Sequence, residues 1–65
     1  MKISVNGEDR EFAGQTLAAL VDESGFGPRK IATAVNGAFV PAPERGETRL
    51  SDGDRVEILS PMQGG

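Results

Sequence analysis

The stretch Gln15-Thr16-Leu17-Ala18-Ala19-Leu20-Val21-Asp22-Glu23-Ser24-Gly25 decides the fold, because the hydrophobic period changes there. Leu17, Leu20 and Val21 fall at i, i+3 and i+4 and share one face of a helix, while Asp22 and Glu23 face water. Thr16 is placed to cap the start, its hydroxyl accepting a backbone N–H bond. Gly25 is placed to stop the helix in the left-handed region, with Phe26 packing back on Val21. Gly27-Pro28 then prevents continuation. The spacing predicts one helix over residues 15–24 and no other helical segment.

Outward from the helix the period is two. Lys2-Ile3-Ser4-Val5-Asn6 alternates polar and apolar, the mark of a half-buried strand. Asn6-Gly7 is the strongest short hairpin signal, since a type I′ turn needs positive φ at both central residues. Arg10-Glu11-Phe12 reads as the return strand. Beyond the helix, Ile31 to Val35 is a strand, Asn36-Gly37 a second hairpin turn and Ala38-Phe39-Val40 its return. Pro41-Ala42-Pro43 stops pairing, and Glu44 to Glu47 is a polar loop. Thr48-Arg49-Leu50 is a short strand or a single turn. Ser51 to Asp54 is a tight turn, and Arg55 to Ser60 is the last strand, with Val56 and Ile58 on one face.

Neither hairpin is stable alone, so both must lie in one sheet over the Leu17/Leu20/Val21 face. The first and last strands have the most regular apolar pattern and are placed adjacent and central. The expected fold class is α+β: a β-grasp (ubiquitin-like) roll, a mixed four- to five-stranded sheet with one helix packed across it. The expected core is Ile3, Val5, Leu17, Leu20, Val21, Val56 and Ile58. Helices and strands do not alternate, which excludes a doubly wound sheet. Residues 1–60 form this domain and residues 61–65 a flexible tail.

Composition narrows the chemistry. A chain of 65 residues, 37% hydrophobic, has room for one small core. It holds no cysteine and no histidine, which removes disulfides, thiolate catalysis and the commonest general base. Ten acidic against seven basic residues give a net charge of −3, the wrong sign for a nucleic-acid footprint. No apolar run suits a signal peptide or a membrane span, so a cytoplasmic protein, monomeric when free, is expected. Asp52-Gly53-Asp54 lacks the register of a calcium loop and reads as a turn. Glu8-Asp9-Arg10-Glu11 reads as a solvated edge, and Arg29-Lys30 is too few charges for a phosphate site.

Two features remain. A sheet covered by one helix should be polar on its other face. Here Ile31, Thr33 and Val35 alternate with Ala32 and Ala34, which leaves open which set meets the helix. Phe39 points away from Val40, and Leu59 away from Ile58. Phe39, Leu59 and Met62 are therefore expected to form a partner surface. The other feature is Pro61-Met62-Gln63-Gly64-Gly65. Gly-Gly has no Cβ and can enter a channel too narrow for any side chain. Five extended residues reach about 17–18 Å and end in a carboxylate that is ionised at neutral pH.

Val35-Asn36-Gly37, Asp52-Gly53-Asp54-Arg55-Val56-Glu57-Ile58 and the closing Gln63-Gly64-Gly65 resemble the ThiS family, the sulfur carriers of thiamine biosynthesis. The resemblance covers the whole chain, including Lys2-Ile3 and Val5-Asn6-Gly7. It implies the β-grasp fold and a protein that is a co-substrate rather than an enzyme. Gly65 would be the chemical site, with Gly64, Gln63, Met62, Leu59 and Phe39 meeting the partners. A ThiF-like adenylyltransferase would use ATP and Mg to adenylate the carboxylate. A sulfur donor would convert it to a thiocarboxylate, and a ThiG-like thiazole synthase would take the sulfur. This chain itself would bind no cofactor and no metal. The alternatives are a MoaD-like carrier for molybdopterin synthesis, a ubiquitin-like modifier, or a β-grasp interaction module that works without the tail.

Overall fold

A computed structural model describes residues 1–26 and 30–60. Strands β1 (Lys2–Val5), β2 (Glu8–Glu11), β3 (Ala32–Val35), β4 (Ala38–Val40) and β5 (Arg55–Leu59) form one sheet in the order β2-β1-β5-β3-β4. The β1–β2 and β3–β4 pairs are antiparallel hairpins, β3–β5 is antiparallel, and β1–β5 is parallel. The sheet is therefore mixed and five-stranded, with β5 at its centre and β1 beside it. Both hairpin turns have type I′ character: φ is 53° and 88° at Asn6 and Gly7, and 51° and 87° at Asn36 and Gly37.

Helix α1 (Leu17–Glu23) is shorter than its predicted range. Thr16 lies outside it in extended conformation, and its Oγ1 accepts the Ala19 N–H at 3.2 Å. Gln15 is held apart by a bond from the Leu50 N–H to its carbonyl at 2.9 Å. At the other end Ser24 caps the helix, Gly25 follows at φ +83°, and Phe26 packs against the core. No helix among the described residues is long and apolar enough to cross a membrane.

The core contains the buried Ile3, Leu17, Leu20, Val21, Val56 and Ile58, as the periodicity predicts, with Val5 only half-buried at its edge. Phe12, Val40 and Leu50 complete it. Phe12 follows β2 instead of belonging to it, and closes the ladder through bonds with Met1 at 2.9 Å. Its ring packs so close to Gly14 that a Cβ there would lie 2.6 Å from Cζ. Leu50 is drawn in by the segment around it, where Thr16 bridges Arg49 and the Leu17 N–H donates to the Thr48 carbonyl at 2.9 Å. That settles 48–50 as a single bridge and not a strand.

A further expectation fails. Ala42–Glu47, read as a proline stop and a polar loop, is a 3₁₀ helix, so α1 is not the only helical segment. It buries no residue and so carries no apolar period from which to predict it. Side chains hold it in place. The Thr48 hydroxyl donates to the Glu44 carbonyl at 2.9 Å. Arg45 donates from Nε to Thr33 Oγ1 at 2.9 Å and from Nη2 to the Ile31 carbonyl at 2.8 Å.

Candidate functional site

The facing of β3 decides the character of the open side of the sheet. Thr33 is buried, its hydroxyl donating to the Val40 carbonyl at 2.7 Å, and Ile31 and Val35 pack on the core beside it. Ala32 and Ala34 therefore point to the open side, because successive side chains alternate across a strand. Ala34 is paired with Phe39 on one side and Glu57 on the other, and Ala32 is paired with Leu59. Phe39 and Leu59 are 67% and 62% exposed, the most exposed large apolar side chains among the described residues.

These four residues form a shallow apolar surface. The strands of Phe39 and Leu59 flank β3, about 10 Å apart at the usual strand spacing, with the two alanines as a low floor between them. The other half of the same face is different. Ser4 is paired with Arg55 and with Asp9, and Lys2 with Glu11, so charged and polar side chains cover it. The open face is thus apolar under β3, β4 and the end of β5, and charged under β1 and β2.

Of the predicted site residues, Phe39 and Leu59 are brought onto this one surface. Met62, Gln63, Gly64 and Gly65 lie outside the described residues. Leu59 ends β5, the central strand, so that strand finishes in the middle of the sheet beside the apolar surface. The carboxylates of the Ser51–Asp54 turn are committed to backbone N–H groups. Asp52 Oδ1 accepts the Lys2 N–H at 2.7 Å, and Asp54 Oδ2 accepts the Ser51 N–H at 2.8 Å. No group of three or more acidic, histidine or cysteine side chains suited to a metal occurs among the described residues.

Sequence reasoning treated Asn6 and Asn36 only as turn residues, and both do more. The Asn6 carboxamide bonds the N–H and carbonyl of Ile58 at 2.9 and 3.1 Å. The Asn36 carboxamide accepts the Arg55 N–H at 2.9 Å and donates to Asp54 Oδ1 at 3.0 Å. The only sequence signal is the choice of Asn at both turns, where Asp or Gly would also accept positive φ.

A helix laid on a mixed sheet, with β1 and β5 parallel at its centre, defines a β-grasp domain. The chain belongs to the ThiS family, whose model matches residues 3–65. It is 36% identical over 61 residues to the sulfur carrier protein ThiS of Thermus thermophilus, covering 94% of this chain and 95% of that protein. The crystal structure of a thiamine biosynthesis protein (ThiS) from Geobacter metallireducens superposes with a TM-score of 0.83 at 26% identity, covering 100% of each chain. The chain is also 39% identical over 66 residues to a thiazole synthase of Paramagnetospirillum magneticum. A thiazole synthase of Magnetococcus marinus is 38% identical. All of this chain is covered in both matches, but it spans only about a fifth (20%) of each of those proteins.

Proposed function

We propose that the chain is a sulfur carrier of thiamine biosynthesis, acting as a co-substrate with the Gly65 carboxylate as its chemical site. The observation that carries this reading is the extent of the family match, which runs through residue 65 and so takes in the tail as well as the sheet. An interaction module would need only the sheet. The composition points the same way, since a chain without cysteine or histidine has few means of activating a carboxylate itself.

The chemistry divides accordingly. A carboxylate is a poor acyl donor until it carries a good leaving group. A ThiF-like adenylyltransferase with MgATP would supply one: a carboxylate oxygen attacks the α-phosphorus, pyrophosphate leaves, and an acyl-adenylate forms. A hydrosulfide equivalent from a sulfur donor then attacks the acyl carbon, and AMP leaves. The product is a Gly65 thiocarboxylate. Thiazole synthase as the acceptor is supported by the two thiazole synthases that contain a segment similar to this entire chain. The apolar surface of Ala32, Ala34, Phe39 and Leu59 is the proposed docking face, with Met62, Gln63 and Gly64 following Leu59 into the partner. The carrier works as a cytoplasmic monomer, and ATP, Mg and sulfur come from its partners.

Intact mass tests this reading. With MgATP, an adenylyltransferase and sulfide, exchange of one terminal oxygen for sulfur adds about 16 Da at the chain terminus. Deleting Gly64 and Gly65 abolishes the gain. Adding one residue after Gly65 moves the carboxylate about 3.3–3.6 Å and also abolishes it. Sulfur gained by the extended chain would overturn the proposal.

A further inference from the structure

The parallel ladder between β1 and β5 continues past the end of β1 through a side chain. Backbone bonds run from Ser4 N–H to the Asp54 carbonyl at 3.0 Å and from Asn6 N–H to the Val56 carbonyl at 2.9 Å. The next step calls for an acceptor at the Ile58 N–H. By then the chain has turned away, with Asn6 in the left-handed region at φ 53°. The Asn6 carboxamide takes over: Oδ1 accepts the Ile58 N–H at 2.9 Å, and Nδ2 donates to the Ile58 carbonyl at 3.1 Å. Backbone groups alternate sides along a strand, and the register with β3 turns those of Glu57 and Leu59 toward β3. The groups of Ile58 face β1, where Asn6 meets them.

We propose that Asn6 is a positioning residue for transfer to Gly65, its carboxamide bracing Ile58 so that the docking face and the reacting end keep a fixed relation. The proposal rests on the carrier reading above. Ile58 is the penultimate residue of β5; Leu59, on the apolar surface, ends the strand, and residues 61–65 come after it in sequence. Slack at Ile58 is therefore slack in the end of β5, which would shift Leu59 and the point of departure toward Gly65 against the rest of the docking face on β3 and β4. An error of 1 Å in a reacting group can cost about 10²-fold in rate. Few side chains could replace Asn6. It tolerates positive φ and turns both an N–H donor and a carbonyl acceptor toward Ile58, as a peptide group would. Aspartate presents only acceptors when ionised, and alanine and glycine present nothing.

The test compares wild type with Asn6→Ala, Asn6→Gly and Asn6→Asp. A control, Val21→Ala, weakens the core from the helix and leaves the brace intact. Two quantities are read: amide exchange at Ile58, and kcat and KM for partner-catalysed sulfur transfer followed by intact mass. Asn6→Gly suits the turn and guards against loss of folding in the alanine variant. Both are expected to lose protection at Ile58 and to lower kcat about tenfold with KM for the carrier unchanged. Asn6→Asp keeps an acceptor for the Ile58 N–H but sets a second carboxylate oxygen against the Ile58 carbonyl at neutral pH, so its protection and kcat fall between theirs and the wild type's. It regains Ile58 protection in acid, where the protonated carboxyl can again donate to the carbonyl. Val21→Ala keeps the wild-type kcat at temperatures where it is folded. Wild-type kcat in Asn6→Ala and Asn6→Gly, or an equal fall in Val21→Ala, overturns the positioning role alone. A wild-type chain that gains no sulfur overturns the carrier reading and this role together.

Discussion

Hairpins β1–β2 and β3–β4 are built on the same Asn-Gly turn, lie on opposite sides of β5, and each sends an asparagine carboxamide to it. Their outer strands differ. β2 is Glu8-Asp9-Arg10-Glu11, and β4 is Ala38-Phe39-Val40 followed by Pro41. An edge strand leaves backbone groups open to any passing strand, and charge is one way to discourage that pairing. β2 is defended by its side chains. β4 is short and stopped by proline, so its phenylalanine can stay exposed without a long edge to pair. One scaffold thus carries a closed edge and an open apolar surface, and β5 ends beside the apolar one.

The arginines repeat the contrast. Arg10 spans from β2 to the helix, with Nη2 at 3.3 Å from Glu23 Oε2 and Nη1 at 3.4 Å from Ser24 Oγ. Arg45 has shorter bonds, to Thr33 Oγ1 and to the Ile31 carbonyl. The first is a long, solvent-facing ion pair. The second holds the 3₁₀ helix to β3.

The largest expected effect breaks the element both hairpins share. Leu20 is fully buried beneath the sheet, and Leu20→Ala should cost about 2–5 kcal/mol, a large share of so small a domain's stability. Chemical denaturation measures it, and an unchanged midpoint would mean that the helix does not bind the hairpins together. Next comes the asymmetry of the faces. Leu59→Glu should weaken binding to the adenylyltransferase by about 2 kcal/mol or more, with melting little changed. Glu11→Lys, on the charged half, should leave affinity alone. Equal losses in a calorimetric titration would erase the distinction.

Two smaller effects sharpen it. Arg45→Ala removes charged donors from a backbone carbonyl and a buried threonine, and should cost about 1.5–3 kcal/mol in urea unfolding. Arg10→Ala should cost less than about 1 kcal/mol. Its effect should fade further in 1 M salt, where screening acts within about 3 Å. If Arg10 proves the costlier to lose, the two arginines have been ranked the wrong way round.

Much of this was legible along the chain. The two Asn-Gly turns, the Thr16 cap, the Gly25 stop and the inward sets Ile3, Val56 and Ile58 are local in origin. Each rests on φ preferences or on a period that a few neighbouring residues display. The apolar surface was half legible: Phe39 and Leu59 stood out as the wrong parity for the core, but not as neighbours across Ala32 and Ala34. Arg45 and the 3₁₀ helix were not legible, because polar residues without a period say nothing of where they will find partners.

Sequence by itself determined the elements, their faces and the chemistry this chain lacks, since periodicity and composition act within a few residues. Only the tertiary structure decided that the odd residues of β3 face the core, because parity along a strand does not say which side another element will cover. It alone placed Phe12, Val40 and Leu50 inside, set Phe39 near Leu59, and delivered the Asn6 carboxamide to Ile58, a partner 52 residues away. Such pairings depend on sheet register, which arises when distant segments compete to bury apolar surface and satisfy backbone hydrogen bonds together.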